Sequence, residues 1–373
     1  MPTIVYDLRY ACDHFTGIGR HTFCLLEALL ALPGDEQYTV LWNPALQMTR
    51  FDFTPLRESP RVTWVERPIS PLGPTSILAL GAFLRERKPD LYFSPFHFMP
   101  VSPGCRCILM IHDVWPLRFG YALNPWKRLL YRLSLGMTKG ATLLVTPSRF
   151  SRDEIAALAG IDPAKVRVVR QGTPPPSTVT PVRPAALPDE PFAVTVGLNY
   201  PYKNLRVLVE AWERLGDDAP LELVACGREL ARYPGVAKMA AERGARRVTA
   251  LGHVSEAELE WLYRNATLLL FPSTYEGFGF PLLEGFQRGL PVVASDIPAL
   301  RELDDSAARF VPATDAGAWA AAVVRLASDE ITRHRMAERG RARAAELSYG
   351  QTARTMLEVL REGLGTSRAA AAS

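Results

Sequence analysis

The sequence predicts an α/β chain of two doubly wound parallel-sheet domains facing a cleft. Short β-branched or apolar runs alternate with helical patterns, twice over. A stretch with seven prolines in nineteen residues, 173–191, separates the two series. The length, 373 residues, exceeds what a single core usually takes. Strands parted by helices form parallel sheets covered on both faces, and ligands of such sheets sit beyond the carboxyl ends of the strands.

In the first series TIVYDLRY (3–10) reads as a buried strand. HFTGIGRH (14–21) follows as a glycine loop carrying Gly17 and Gly19, then RHTFCLLEALLAL (20–32) as a helix stopped by Pro33 and Gly34. YTVLW (38–42), LYFSP (91–95), CILMIHD (107–113), TLLVTPS (142–148) and VRVVRQG (166–172) continue as strands. Ser151 and Glu154 have the spacing of a capping box opening RDEIAALAG. Repeated prolines neither continue a helix nor fill a central strand, so 173–191 is expected to be a stiff linker between domains 1–172 and 192–349.

The second series runs FAVTVG (192–197), LELVACG (221–227), RVTALG (247–252), TLLLFPS (267–273), PVVASD (291–296) and ARFVPA (308–313). Ser255 and Glu258 form a capping box for EAELEWLYRNA. Residues 350–373 read as a terminal helix with SRAAAAS as a frayed tail.

Composition removes several classes. A net charge of +4, spread along the chain, suits an acidic substrate and is too small to argue for nucleic acid. Five cysteines without a second pair or a histidine cluster give neither a disulfide framework nor a zinc site, and fit a reducing compartment. MPTIVYDLRY opens as a strand rather than a signal peptide, and no apolar run approaches the roughly 20 residues of a bilayer span. A cytoplasmic protein is expected. NPWKRLLYRLSLGMTKG (124–140) sets Trp126, Leu129, Leu130, Leu133 and Met137 at helical spacing beside Lys127, Arg128, Arg132 and Lys139. Such a helix either faces a core or lies on anionic lipid.

Four constellations carry chemistry. STYEGFGFPLLEGF (273–286) follows a strand and ends in a helix that Pro281 suits. Gly277 and Gly279 let backbone approach a ligand, the helix N-terminus favours an anion, Glu284 in the first turn suits a vicinal diol such as a ribose, and Glu276 suits a second polyol. In VGLNYPYKNLRVLVEAW (196–212) Lys203 precedes Asn204, a candidate N-cap, and suits a phosphate. Gly17 and Gly19 give only G-x-G, with Thr22 where a dinucleotide fingerprint wants its third glycine; a backbone nest for phosphate or sugar is the reading left, against a plain tight turn. His112 and Asp113 end a buried strand; His112 is either a donor to a sugar hydroxyl or a satisfied structural histidine, and Asp113 fixes the loop. No Asp-x-Asp pair, Walker loop, H-E-x-x-H or G-x-S-x-G is present, so no metal is expected.

GIGRH, IHDVWPL, TPSRFSRDEI, VGLNYPYKNL and LGHVSEAELEWLYRNATLLLFPSTYEGFGFPLLEGFQRGLPVVASDIPALRE occur in the order found in retaining glycosyltransferase family 4. The chain resembles that family over nearly its whole length, and Glu276 to Glu284 matches its E-x7-E signature. The resemblance implies a GT-B fold of two Rossmann-like domains and metal-independent transfer of a sugar from a nucleotide diphosphate with retained configuration. It implies that Glu284 holds the donor ribose, that Glu276 and the backbone of Gly277, Phe278, Gly279 and Phe280 hold the donor sugar, and that Lys203 holds the diphosphate. Gly17 and Gly19 would approach the phosphate and acceptor side, His112 the sugar near the reacting centre, and Gly227, Arg228 and Val254 the base. The N-terminal domain would bind the acceptor, and the last helix would cross back onto it. Many members carry an arginine before the lysine; here it is Tyr202, which leaves Arg228 or Arg20 as candidates for a second phosphate ligand. TGIGR and HDVWPL look most like mannosyl- or rhamnosyltransferases of bacterial surface polysaccharides, which implies GDP-mannose as donor and a lipid-linked oligosaccharide as acceptor. A sugar-nucleotide epimerase on the same fold and a two-lobed solute-binding protein are the alternatives.

Overall fold

The computed structural model describes residues 1–120, 124–231, 233–304 and 306–365. The expected tail, 367–373, lies outside the described residues. The chain forms two compact units, Met1–Pro174 with Leu347–Ser373, and Pro175–Glu346.

The first unit is built on seven parallel strands: β1 (Thr3–Asp7), β2 (Gln37–Trp42), β3 (Val62–Glu66), β4 (Leu91–Ser94), β5 (Arg106–Met110), β6 (Leu143–Thr146) and β7 (Val166–Val168). Their order is β3-β2-β1-β4-β5-β6-β7, so the sheet grows one way from β1 and the other way from β4. The inner strands β4 and β6 are buried along their whole length, as fits a sheet covered on both faces. β3 (VTWVE) was not anticipated; it is an edge strand paired with β2, half-buried or exposed except at Val65.

The first strand is shorter than expected because Leu8–Tyr10 turns into a 3-10 helix. Arg9, almost fully buried, donates to both carboxylate oxygens of Asp7 at 2.8 and 2.6 Å, and Tyr92 donates to the same carboxylate at 2.7 Å. A buried charge persists only when so paired.

The glycine loop is also corrected. The helix begins at Thr16 and runs to Ala31, so Gly17 and Gly19 lie in its first turn. Gly19 sits there because a Cβ would come within 2.9 Å of the Tyr10 carbonyl. The Ser151 capping box is absent too. That helix spans Arg149–Ala159, and its cap is Ser148, whose hydroxyl accepts the Ser151 N–H at 3.0 Å. The Ser151 hydroxyl instead donates to the His112 carbonyl at 3.3 Å.

Thr173 pairs with Ser348 as the chain enters the last helix, Tyr349–Leu364. That helix packs on Thr16–Ala31 and on β5 within the first unit. Gly172 and Gly363 permit the approach: a Cβ would meet the Tyr349 nitrogen at 2.3 Å and the Ile108 side chain at 2.6 Å respectively.

The second unit repeats the plan with six parallel strands: β8 (Phe192–Val196), β9 (Glu222–Cys226), β10 (Val248–Gly252), β11 (Leu268–Phe271), β12 (Val292–Ser295) and β13 (Arg309–Val311), ordered β10-β9-β8-β11-β12-β13. Trp212 and Trp319 fill its core, each indole N–H donating to a carbonyl, of Leu221 and Pro312. The Ser255–Glu258 capping box is present, with both reciprocal hydrogen bonds. The proline-rich stretch from 175 onward belongs to this unit: Val182 donates to the Ala257 carbonyl, and Leu187 is buried.

Candidate active site

The second sheet reverses its order between β8 and β11, and the loops leaving these neighbouring strands carry the marked residues. Such a reversal is where open parallel sheets bind ligands. Lys203 ends a short 3-10 turn, Pro201–Lys203, beyond β8. Glu276 lies in the loop after β11. Nζ of Lys203 stands 2.7 Å from Oε1 of Glu276, with the two side chains 18% and 11% exposed. The pair uses one of three ammonium donors.

Backbone bonds clamp the two loops together. The N–H and hydroxyl of Thr274 both donate to the Tyr202 carbonyl, at 2.7 and 3.1 Å. Asn204 adopts a left-handed conformation at the N-cap position of the Leu205–Leu215 helix, but its side chain does not cap. Its amide donates instead to the carbonyls of Pro272 and Ala313, at 3.0 and 2.7 Å, tying the ends of β11 and β13 to the Lys203 turn. Tyr202, in place of the family's arginine, presents its ring 5.3 Å from the Lys203 nitrogen and stacks on Tyr200. It supplies a π face where a second cation was expected.

The helix after Glu276 is Phe280–Arg288, with Gly279 at its N-cap and Pro281 second. Gly279 has φ of +117°, and a Cβ there would meet Leu300 at 2.5 Å, so no other residue fits without rearrangement. Phe278 is buried and packs edge-on to Phe280, at 5.5 Å. The helix starts one residue earlier than expected, which puts Glu284 fifth and just outside the first turn. Its Oε2 accepts the Tyr263 hydroxyl at 2.8 Å. Burial, then the Glu284 charge, pushes the Tyr263 phenol well up, which keeps it a donor. Arg288 lies over the Tyr263 ring and donates to Glu260 and to the Glu284 carbonyl. Burial alone would push Glu260 up, but Arg288 and Arg264 outweigh it and hold the carboxyl low. Sequence reading missed Tyr263 and Glu260. Their spacing of three on an amphipathic helix was the available signal, and it is common in helices without any site.

Gly227 ends β9 with φ of +145°, and a Cβ would strike the Gly197 carbonyl at 1.9 Å. Arg228 beside it is exposed. Val254 lies half-buried in the loop between β10 and the Ser255 cap. Asn199, also missed, is buried; it accepts the Leu230 N–H and donates to the Tyr233 carbonyl at 3.1 Å, which shapes the loop after β9.

In the first unit His112 stands two residues past β5. Its Nε2 lies 2.9 Å from the Pro95 carbonyl, which can only accept, so Nε2 carries the proton. Nδ1 then accepts from the Gln171 amide at 3.0 Å. Both ring nitrogens are spent inside the unit, so the donation to a sugar expected of His112 has no nitrogen to make it in this structure. Burial pushes the imidazole down to about 4, against the Pro95 carbonyl, which favours the charged form. His21 packs edge-on to His112 at 5.8 Å, and its Nδ1 lies 3.3 Å from the Tyr349 hydroxyl. Asp113 accepts the Trp115 N–H, as expected of a residue that fixes the loop. Gly17 is exposed with open space where a Cβ would stand.

Comparison with known proteins decides the family. Residues 15–175 match the family Glycosyltransferase Family 4, and residues 181–343 match Glycosyl transferases group 1. The O-antigen chain mannosyltransferase B of Escherichia coli is 30% identical over 283 residues, which cover 71% of this chain and 72% of that protein. The chain belongs to glycosyltransferase family 4. It is a hexosyltransferase, which displaces the epimerase and solute-binding alternatives. A glycosyltransferase of Rickettsia africae superposes with a TM-score of 0.68 at 16% identity, covering 98% of this chain and 99% of that one. HepE of Anabaena in complex with UDP-glucose gives 0.65 at 16% identity, covering 97% and 100%. The fold of this family 4 member is therefore GT-B.

Proposed function

We propose that the enzyme moves a hexose, mannose favoured, from a nucleotide-diphosphate sugar, GDP-mannose favoured, to a glycan or lipid-linked oligosaccharide. The transfer retains the anomeric configuration and needs no metal. One observation carries the reading: the Lys203–Glu276 pair, clamped at the point where the second sheet reverses. Lys203 meets the charge that develops on the leaving diphosphate, aided by the N-terminus of Phe280–Arg288. Glu276 and the backbone of 277–280 hold the donor sugar. Glu284, oriented by Tyr263, accepts from the ribose diol. Gly227, Arg228 and Val254 border the base. Gly17 and Gly19 face the acceptor side, and His112 acts by positioning the loops of Pro95 and Gln171 rather than by touching the sugar.

The bond from the anomeric carbon to the diphosphate breaks on the face where the acceptor oxygen bonds. The acceptor proton passes to the departing phosphate oxygen. The mannosyltransferase named above supports the sugar, and HepE with UDP-glucose supports a nucleotide donor. The exposed basic helix at 124–140 supports contact with an anionic membrane. The unpaired cysteines support a reducing compartment, hence the inner face of that membrane. No helix among the described residues is long and apolar enough to cross a bilayer.

Calorimetric titration with GDP, UDP, dTDP and ADP, without metal, tests the donor. Preference for GDP supports it, and preference for another base replaces it. A trapped glycosyl adduct on Glu276 would exclude the front-face route.

A further inference from the structure

The Pro125–Met137 helix does not bury its apolar stripe. Trp126 is 65% exposed, Leu133 57%, Leu129 47% and Leu130 46%. Beneath it, against the Pro74–Arg87 helix, lies a cavity of about 410 Å³ lined by Gly73, Ile77, Phe98, Met99, Leu130 and Leu133. Among the described lining residues, only Lys127, Tyr131 and Ser134 bring side-chain polar atoms to its wall.

We infer that this cavity takes the hydrocarbon chain of an anionic lipid. The proposal rests on the lipid-linked acceptor just proposed and names where its chain would be held. Three observations favour that occupant. The wall is too apolar for a sugar, whose hydroxyls need partners. The volume is that of a small-ligand pocket, roughly 300–1,000 Å³. The mouth carries Lys127, exposed and in the lining, and residues 124–140 hold Arg128, Arg132 and Lys139 besides and no acidic side chain. The same charge argues against a second copy of the chain, since a two-fold contact would set these cations against themselves. A phosphate-bearing chain satisfies wall and mouth together.

The test uses the full chain with farnesyl phosphate carrying a diazirine on its hydrocarbon, in solution without vesicles. Adducts are mapped by mass spectrometry after irradiation. The expected adducts fall within 73–77, 98–99 and 127–137. Unlabelled farnesyl phosphate competes with them and inorganic phosphate does not. Ile77→Trp fills the slot and lowers labelling about tenfold or more, a loss of at least one decade of affinity. Leu78→Trp, the next residue on the same helix and outside the lining, leaves labelling in place. Three results would overturn the slot: adducts scattered over the surface, adducts that persist in Ile77→Trp, or labelling that vanishes as the protein dimerises. GDP titration on the same sample separates the two readings. Failure of the unsubstituted chain to label, with GDP binding intact, removes the slot alone, whereas failure to bind GDP with labelling intact removes the donor reading alone.

Discussion

The two units treat their marked residues in opposite ways. In the second, Lys203 and Glu276 meet 2.7 Å apart at the sheet's point of reversal, part-exposed, with ammonium donors in reserve. In the first, His112 also follows a central strand, yet both of its nitrogens are spent on Pro95 and Gln171. A side chain that binds substrate must keep hydrogen-bonding capacity that the fold does not consume. By that standard Lys203 keeps the capacity a binding site needs, while His112 spends its own on the fold.

The sharpest break in this contrast is Lys203→Ala. It removes the cation facing the leaving group and leaves Glu276 without its partner. Removal of one such stabilising group costs about 10²–10³ in turnover. We expect kcat to fall by that much while GDP affinity changes far less. A normal kcat would remove Lys203 from the reaction. Next comes Glu284→Ala. Hydrogen bonds to a charged group contribute about 1.5–3 kcal/mol, so GDP should bind about 10- to 100-fold more weakly. Unchanged affinity by calorimetry would end the ribose assignment.

The difference between the units also explains what the sequence could reveal. Strand existence was legible from β-branched apolar runs, and every strand expected in the second unit is present. The edge strand β3 escaped because a half-exposed run gives a weaker signal. Glu276 and Glu284 stood out because a carboxylate beside glycine has few structural uses, and Lys203 because it precedes a candidate N-cap. The misreadings came from local competition. Gly17 and Gly19 looked like loop residues, but the helix runs over both, and the glycine at 19 answers to close packing against Tyr10 rather than to a loop. Ser151 has capping-box spacing to Glu154, but the helix starts three residues earlier and takes Ser148 as its cap. Asn199, Tyr263 and Glu260 act through contacts 20 or more residues away in sequence. No local pattern encodes such partners.

Smaller effects probe the first unit. His112→Ala leaves the Pro95 carbonyl and Gln171 amide unpaired, each costing about 1–3 kcal/mol if it stays buried. The melting temperature should drop while GDP affinity holds. A fall in kcat like that of Lys203→Ala, with stability unchanged, would instead put His112 on the sugar. pH gives a second reading of the same scaffold. Burial holds His97 down to about 3 and His112 to about 4, and pushes His21 well below the ordinary value. The unfolded chain therefore binds more protons than the folded one below about 6.5. The stability these groups contribute is complete above that pH and is lost as pH falls toward 4. Melting between pH 7 and 5.5, before most carboxylates titrate, should show the loss. A flat profile would mean that the buried histidines are hydrated in solution.

The smallest expected effect settles what replaces the cation lost at Tyr202. Arg228 is exposed and follows β9, one strand outward from the reversal point between β8 and β11. An exposed ion pair contributes about 0–1 kcal/mol, so Arg228→Ala should weaken GDP binding by no more than about fivefold. If kcat instead falls as far as in Lys203→Ala, Arg228 closes onto the diphosphate and the clamp has two cations. If it does not, Lys203 serves the diphosphate without Arg228. Tyr202 then serves by holding the ammonium over its ring. Tyr202→Arg should in that case strengthen GDP binding, since it restores a charge beside the phosphates, and an unchanged affinity would place residue 202 out of their reach.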